Sequence, residues 1–242
     1  MSFERPSFWQ SIPPAVRNLL AINTILWLAT DFSQPLLHKL GINISLTDVL
    51  GMHYWQAQKF QIWQMLTYMF MHGGFFHLFF NMLALYMFGS PLEYRLGTKR
   101  FLLYYTVAGI GAGIIQQVFW SIDFHSFIVH YNNVLQEFPN DVVEILAHFN
   151  SQLNLPITVG ASGSVFGLLL AFGWLFPQTE LFFMFIPVPI KARWAVAIYA
   201  GLELFFGVAN FSFDNVAHYA HLGGMLFGLL LILWWKKQGK WQ

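Results

Sequence analysis

The sequence predicts an all-α integral membrane protein with six transmembrane helices and both termini on the cytoplasmic side. The 242 residues are 57% hydrophobic and only 10% charged, and their mean hydropathy is +0.53. Such values are typical of membrane proteins and not of soluble domains. The apolar residues also form six runs whose lengths suit transmembrane helices of roughly 20 residues. These runs are 17–37, 72–92, 100–121, 158–176, 190–210 and 215–235.

The basic residues predict the orientation of these six helices. Ten of the 12 Lys and Arg residues lie on one side of a six-helix arrangement, and only Lys39 and Lys59 lie on the other. Because Lys and Arg accumulate in cytoplasmic loops, both termini are predicted to be cytoplasmic. The ten residues are Arg5, Arg17, Arg95, Lys99, Arg100, Lys191, Arg193, Lys236, Lys237 and Lys240.

We expect one membrane domain over residues 1–242, with short parts outside the bilayer. These parts are an N-terminal cytoplasmic segment (1–16), an outer loop (38–71), an outer insert (121–157) and a basic C-terminal tail (236–242). In the insert, apolar residues from Val134 to Phe149 recur at helical spacing, which predicts one short amphipathic surface helix. Three prolines predict a loop over 177–190, because proline interrupts a helix.

Composition excludes several functional classes. The net charge of +1 gives no reason to expect a nucleic-acid partner. The chain has no cysteine, which excludes a disulfide framework, thiol catalysis and any zinc or iron–sulfur site built from cysteine.

Polar residues inside the apolar runs point to catalysis. Ser162 lies in Gly160-Ala-Ser162-Gly163 and His221 in Ala220-His221-Leu-Gly-Gly224. Polar groups at membrane depth are costly and usually functional, and a hydroxyl with an imidazole is the minimum set for a serine nucleophile and its base. His77 and Asn81 lie at a similar depth, on the order of 6–14 Å below the outer helix ends. We therefore predict an intramembrane serine protease.

Small residues predict which helices touch. Predicted helix 4 has Gly160, Gly163, Ser164, Gly167 and Ala171 at three- and four-residue spacing, and predicted helix 6 has Ala217, Ala220, Gly224 and Gly228. Such stripes allow two membrane helices to approach closely. Ser162 and His221 border them, so a direct hydrogen bond between the two side chains is geometrically reasonable.

Taken in order along the chain, these residues resemble the rhomboid family of intramembrane serine proteases. The matching segments are His77-Leu-Phe-Phe-Asn81, Gly160-Ala-Ser162-Gly163 and Ala220-His221-Leu-Gly-Gly224-Met-Leu-Phe-Gly228. Glu93-Tyr-Arg95-Leu-Gly97 also resembles the inner loop of the family. The resemblance covers all six predicted helices and implies a six-helix rhomboid-like bundle.

The resemblance also implies an activity and its residues. The chain would be an endopeptidase that cleaves transmembrane segments of membrane-anchored proteins near their outer ends. Ser162 would attack the scissile carbonyl, and His221 would take the proton and return it to the leaving amine. His77 and Asn81, with the backbone N–H of Ser162, would stabilise the oxyanion.

Two further site residues follow from the resemblance. Gly160 would let the substrate backbone approach, and Phe166 stands where the family often packs an aromatic ring against the histidine. One departure concerns Trp63-Gln64, which falls where many relatives have Trp-Arg. We therefore expect the first outer loop to be held differently.

The expected partners are membrane-protein substrates and the lipid bilayer, with no metal, cofactor or nucleic acid. The simplest location for six spans without an appended soluble domain is a bacterial inner (plasma) membrane. We predict a Ser162–His221 dyad, because neither Glu203 nor Asp214 can be paired with His221 from the sequence. His218 is the nearest competitor for the role of base.

Three other functions are compatible with the sequence. A non-catalytic rhomboid-like protein would bind membrane clients, but a binder needs neither Ser162 nor His221. A proton-coupled transporter would use the histidines as relays. A metal site would combine His77, His218 and His221, although the chain lacks the His-Glu-x-x-His pattern of zinc proteases.

Overall fold

The structure is a computed structural model that describes residues 7–42, 44–138, 140–183, 186–209 and 216–239. The helices are α1 (Phe8–Ser11), α2 (Pro14–Lys39), α3 (Leu46–Leu50), α4 (Gln64–Thr67), α5 (Phe75–Ala84), α6 (Ser90–Leu96), α7 (Thr98–Glu137), α8 (Val142–Leu153), α9 (Ser162–Leu175), α10 (Ala192–Ala209) and α11 (His218–Lys237). A 3₁₀ turn (Tyr68–Phe70) precedes α5, and a π-helical segment (Leu85–Gly89) joins α5 to α6. The strands are β1 (Met52–His53), β2 (Ile157–Thr158), β3 (Glu180–Phe183) and β4 (Ile186–Lys191).

The chain is a multi-pass helical membrane protein. Within the described residues, four helical stretches are long and apolar enough to cross a bilayer: Phe75–Leu96, Thr98–Glu137, Ala192–Ala209 and His218–Lys237. Two predicted spans do not meet this criterion. Helix α9 is apolar but has only 14 residues, or about 21 Å at 1.5 Å per residue. Helix α2 has 26 residues but is less apolar than these four stretches.

Helix α9 packs between α7 and α11 through its small residues, as the glycine stripes predict. A methyl group on Gly224 would come within 1.9 Å of the carbonyl oxygen of Gly163, so the two backbones are in direct contact. A methyl group on Gly167 would meet the side chain of Ala108 at 2.6 Å. These contacts align the N-terminal ends of α9 and α11 side by side.

The N-terminal end of α2 is held by a buried carboxylate. Glu93 of α6 accepts hydrogen bonds from the backbone N–H groups of Ala15 (2.9 Å) and Val16 (2.8 Å), and from the Thr98 hydroxyl (2.7 Å). The first N–H groups of a helix have no acceptor within the helix, and negative charge is favourable there. Glu93 therefore joins α2, α6 and α7 at one end of the bundle.

The outer loop 38–71 is organised by Gln64, which is fully buried. Its amide nitrogen donates to the carbonyl oxygens of Lys59 (3.0 Å), Asp48 (3.2 Å) and Val49 (3.3 Å). Its amide oxygen accepts from the N–H of His53 at 3.3 Å. The uncharged amide of Gln64, in the Trp63-Gln64 pair that replaces the Trp-Arg of many relatives, thus serves as both donor and acceptor within the loop.

The same loop also fixes the segment that leads into α9. Strand β1 pairs antiparallel with β2, with Met52 opposite Thr158 and His53 opposite Ile157. Because β2 lies only a few residues before α9, this pairing positions the N-terminal end of α9.

The outer insert is a helical hairpin and not the single surface helix that the spacing of Val134 to Phe149 predicts. Residues through Glu137 continue α7, and α8 begins at Val142. Proline at position 139 explains the interruption, because the residue before a proline is disfavoured in a helix. The hairpin is closed by aromatic packing, including the parallel rings of Phe127 and Phe149 at 5.6 Å.

The expected loop over 177–190 contains a short antiparallel hairpin, which corrects the sequence prediction. Glu180 of β3 lies opposite Lys191 of β4, and Leu181 lies opposite Ile190. The prolines that exclude a helix do not exclude a two-stranded ribbon, because proline is tolerated where a strand has a free edge.

Candidate active site

Ser162 is the first residue of α9 and follows a sharp change in backbone direction. Gly160 has φ +128°, a conformation that residues with side chains rarely adopt. Its N–H donates to the carbonyl oxygen of Tyr68 at 2.9 Å, which anchors the turn to the 3₁₀ segment. The N–H of Ser162 lies in the first turn of α9, where N–H groups have no partner within the helix.

His221 meets Ser162 across the contact between α9 and α11. Its Nε2 lies 2.8 Å from the Ser162 hydroxyl oxygen, a hydrogen-bond distance. His221 is buried, in the first turn of α11. The close approach of Gly163 and Gly224 makes this distance possible, because larger residues would separate the two helices.

Phe166, one turn after Ser162 on α9, stacks on His221. The two ring centroids are 4.2 Å apart and the ring planes differ by only 9°. The aromatic face therefore restricts rotation of the imidazole while both ring nitrogens remain available for polar contacts.

Glu203 of α10 is the residue that sequence reasoning missed. Its Oε2 lies 2.9 Å from Nδ1 of His221 and 2.6 Å from Nδ1 of His218. The contact with His218 has hydrogen-bond geometry. The contact with His221 is at ion-pair distance but does not have hydrogen-bond geometry.

Only one sequence signal favours Glu203, namely that it is a carboxylate within an apolar run. The sequence between Glu203 and His221 contains no pattern that would predict a contact between these two residues. The other carboxylate considered, Asp214, lies outside the described residues.

Of the two histidines in the first turn of α11, His221 makes the hydrogen bond with Ser162, and His218 contacts Glu203. His218 contacts Glu203 through Nδ1, and its ring stacks near Phe206 with centroids 5.7 Å apart. His221 is the histidine that contacts Ser162, because it lies one turn further along α11.

His77 and Asn81 lie one turn apart on α5. A methyl group on Gly160 would lie 2.7 Å from Nε2 of His77, so this imidazole lies directly against the Gly160 turn. Asn81 is buried, and its amide nitrogen donates to the carbonyl oxygen of His77 at 2.9 Å. One N–H of the Asn81 amide is thus engaged within its own helix.

His72 is buried beside His77. It is 5% exposed, and its ring centroid lies 5.1 Å from that of His77. Among the described residues, neither of its ring nitrogens has a hydrogen-bond partner. The turn between the 3₁₀ segment and α5 brings His72 inward.

The alternative metal set of His77, His218 and His221 is not the one that the structure brings together. Among the described residues, the candidate group is Glu203, His218 and His221, whose donor atoms all lie within 4.8 Å of one another. His77 does not belong to this group and lies against Gly160.

The sequence is similar to those of known proteins. A sequence model of the Rhomboid domain matches residues 59–237. YdcA, a candidate rhomboid protease of Bacillus subtilis, is 29% identical over 218 residues, which cover 90% of this chain and 86% of YdcA. The mitochondrial RHOMBOID-like protein 6 of Arabidopsis thaliana is 28% identical over 221 residues, or 86% of this chain and 57% of that protein.

A third relative is the mitochondrial Rhomboid protein 1 of Saccharomyces cerevisiae. It is 30% identical over 161 residues, which cover 66% of this chain and 38% of the yeast protein. The chain thus spans less than two thirds of these two mitochondrial relatives. The family match, however, covers well over half of the chain and includes the segments of Ser162 and His221. The chain belongs to the rhomboid family.

Proposed function

We propose that the protein is an intramembrane serine endopeptidase with Ser162 as nucleophile and His221 as general base. The observation that carries this proposal is the 2.8 Å contact between His221 Nε2 and the Ser162 hydroxyl, at the start of a buried helix in a rhomboid chain. A serine with an adjacent base is the arrangement that activates a hydroxyl for acyl transfer.

The proposed chemistry follows from the partners of each atom. As the Ser162 oxygen attacks the scissile carbonyl, its proton moves to Nε2 of His221, which later donates it to the leaving amine. The oxyanion is stabilised by the N–H of Ser162 and by His77 and Asn81, near the positive end of α9. Gly160 leaves space for the substrate backbone.

Glu203 extends the expected dyad. A carboxylate at Nδ1 keeps the proton on that nitrogen, so that Nε2 is free to accept from serine, and it stabilises the imidazolium that forms. Glu203 therefore acts as a positioning residue through His221 and does not touch the reacting atoms.

The proposed substrates are transmembrane segments of membrane-anchored proteins, cut near their outer ends. Ser162 lies at the N-terminal end of α9, where water has the shortest path to it in a topology with cytoplasmic termini. The substrate helix must unwind locally, because its carbonyl groups are hydrogen-bonded while it is helical.

The proposed topology has six spans, with α2 and α9 added to the four long apolar stretches. Helix α9 is short but is enclosed by α7 and α11, so protein and not lipid surrounds its backbone.

We place both termini in the cytoplasm and the protein in a bacterial inner membrane, although two relatives are mitochondrial by name. Alkaline phosphatase fused after residue 239 is expected to be inactive, whereas a fusion within 38–71 is expected to be active.

The activity is tested with purified protein and a transmembrane reporter in liposomes. Wild type and His218→Ala are expected to cleave, whereas Ser162→Ala and His221→Ala are not. Cleavage by Ser162→Ala would exclude Ser162 as nucleophile. If wild type neither cleaves nor reacts with a fluorophosphonate probe at Ser162, a non-catalytic protein that binds membrane clients replaces the protease.

A further inference from the structure

We propose that Glu203, His218 and His221 form a binding site for a divalent transition-metal ion of the zinc class, and that the bound ion reversibly inhibits the enzyme. The inhibition rests on the proposed function. The metal site itself rests on the placement of three donor groups at the outer ends of α10 and α11.

The donors suit zinc in type and in separation. Zinc is bound by His nitrogen and Glu oxygen at about 2.0–2.1 Å in tetrahedral geometry, which places neighbouring ligand atoms about 3.3 Å apart. Glu203 Oε2 lies 2.6 Å and 2.9 Å from the two histidine Nδ1 atoms. For these two oxygen–nitrogen pairs, an ion therefore requires a separation of less than about 1 Å, within the range of small rotamer adjustments. The donor atoms of all three residues lie within 4.8 Å of one another.

The backbone holds the three ligands in a favourable arrangement. His218 and His221 are three residues apart in the first turn of α11, so they project from neighbouring positions on one helix face. Glu203 reaches them from α10 and supplies a negative charge, which partly compensates the charge of the ion.

The site is reachable from water although it is largely buried. The side chains of His218 and Glu203 are 11% and 12% exposed. Both lie near the end of the bundle at which α11 begins. A water molecule can take the fourth coordination position, as in zinc sites with three protein ligands.

Metal binding at Nδ1 of His221 would inactivate the base, because it places the proton of the imidazole on Nε2. A neutral imidazole carries one proton, and when Nδ1 is bound to the ion that proton resides on Nε2. Nε2 then cannot accept the proton of Ser162, although it remains within 2.8 Å of the hydroxyl. The ion also occupies the Glu203 oxygen that positions the ring. Inhibition thus requires no displacement of Ser162.

The first experiment measures Zn²⁺ binding to Ser162→Ala protein by competition with a chromophoric chelator. We expect one ion per chain. Ser162→Ala/His218→Ala is expected to bind at least about 10-fold more weakly, because losing even an indirect partner of a metal ligand typically costs 10–100-fold in affinity. Ser162→Ala/His148→Ala removes an exposed histidine of α8 and is expected to bind as the parent does.

The second experiment measures reporter cleavage during Zn²⁺ titration. Wild type is expected to be inhibited and then restored by EDTA, while His218→Ala needs at least about 10-fold more zinc. His218→Gln, which keeps a polar group beside Glu203, controls for folding through its melting temperature. Equal inhibition of wild type and both His218 variants, or binding unaffected by His218→Ala, overturns the metal site.

The two proposals fail separately. Binding is measured on a variant without the nucleophile, so it does not depend on protease activity. A wild type that cleaves nothing but has a His218-dependent zinc site overturns the inhibition and retains the site. A wild type that cleaves but shows no stoichiometric zinc binding overturns the site and retains the protease.

Discussion

Glu203 and His221 face each other across the contact between α10 and α11, with Oε2 of the carboxylate 2.9 Å from Nδ1 of the imidazole. The other ring nitrogen, Nε2, lies 2.8 Å from the hydroxyl of Ser162. The imidazole therefore bridges a carboxylate and a hydroxyl, the arrangement found in serine proteases with three catalytic residues. A second histidine, His218, shares the same carboxylate oxygen.

The Glu203 contact predicts a loss of turnover when its charge is removed. Glu203→Gln is expected to lower kcat about 10- to 100-fold and leave KM nearly unchanged. This is less than the roughly 10⁴-fold loss in a well-aligned triad, because the His221–Glu203 contact is not aligned as a hydrogen bond. Reporter kinetics in liposomes measure both constants.

Glu203→Asp provides the matched control for that substitution. It retains the charge on a shorter side chain and is expected to recover part of the lost kcat, which a purely structural role would not explain. An unchanged kcat in Glu203→Gln would instead establish a Ser162–His221 dyad.

The backbone contact between Gly163 and Gly224 predicts a strong effect of one added methyl group. In Gly224→Ala the new carbon would overlap the Gly163 carbonyl oxygen, and a backbone atom cannot yield as a side chain does. Overpacking typically costs about 1–3 kcal/mol of stability, and we expect Gly224→Ala to cost more than this. We also expect loss of cleavage, because Ser162 and His221 would be pushed apart. Thermal unfolding in detergent and reporter cleavage measure the two effects.

Gly201→Ala in α10 is the control for Gly224→Ala. A methyl group there has no neighbour within 4 Å, so stability and activity are expected to remain close to wild type. If Gly224→Ala behaved in the same way, the close approach of α9 and α11 would be wrong.

The stacking of Phe166 on His221 predicts a graded effect on reactivity. Aromatic stacking contributes about 0.5–1.5 kcal/mol beyond area burial, which corresponds to a factor of about 2–13. We expect Phe166→Leu to slow fluorophosphonate labelling of Ser162 by a factor in this range, because the imidazole is less restrained. Phe166→Tyr retains the ring and is expected to label at nearly the wild-type rate; equal rates for Leu and Tyr would contradict this role.

His53 in the outer loop predicts a loss of stability in mild acid. Burial lowers the pKa of His53 below its ordinary value, despite the nearby carboxylate and carbonyl of Asp48, and Lys59 lowers it further. The unfolded chain therefore binds a proton at higher pH than the folded chain does. Stability is expected to fall as pH drops from about 6.5, the value for an unfolded histidine, and to level off below the lowered pKa.

His53→Gln tests this assignment because it removes the titrating group from the same buried position. Denaturation of wild type and variant is compared between neutral pH and mild acid. The wild type is expected to lose more stability than the variant over this interval. Parallel losses in the two proteins would assign the acid effect to another group.

Membrane class, the family resemblance of three segments and the packing of α9 on α11 could be predicted from the sequence. Hydropathy and composition are properties of the chain and need no knowledge of its path in space. The glycine stripes depend on helical periodicity, which is local, so Gly163, Gly167 and Gly224 identify their own interface. Ser162 and His221 border those stripes, and for that reason their contact could be anticipated.

Other features depended on how distant segments meet. The burial of His72, the division of the insert into α7 and α8, and the hairpin of β3 and β4 depend on turns whose geometry is not periodic. The approach of Glu203 to His221 depends on the rotation of α10 about its axis relative to α11. Hydropathy sets the length of a helix, but side-chain packing against its neighbours sets that rotation, and with it the partner of each ring nitrogen of His221.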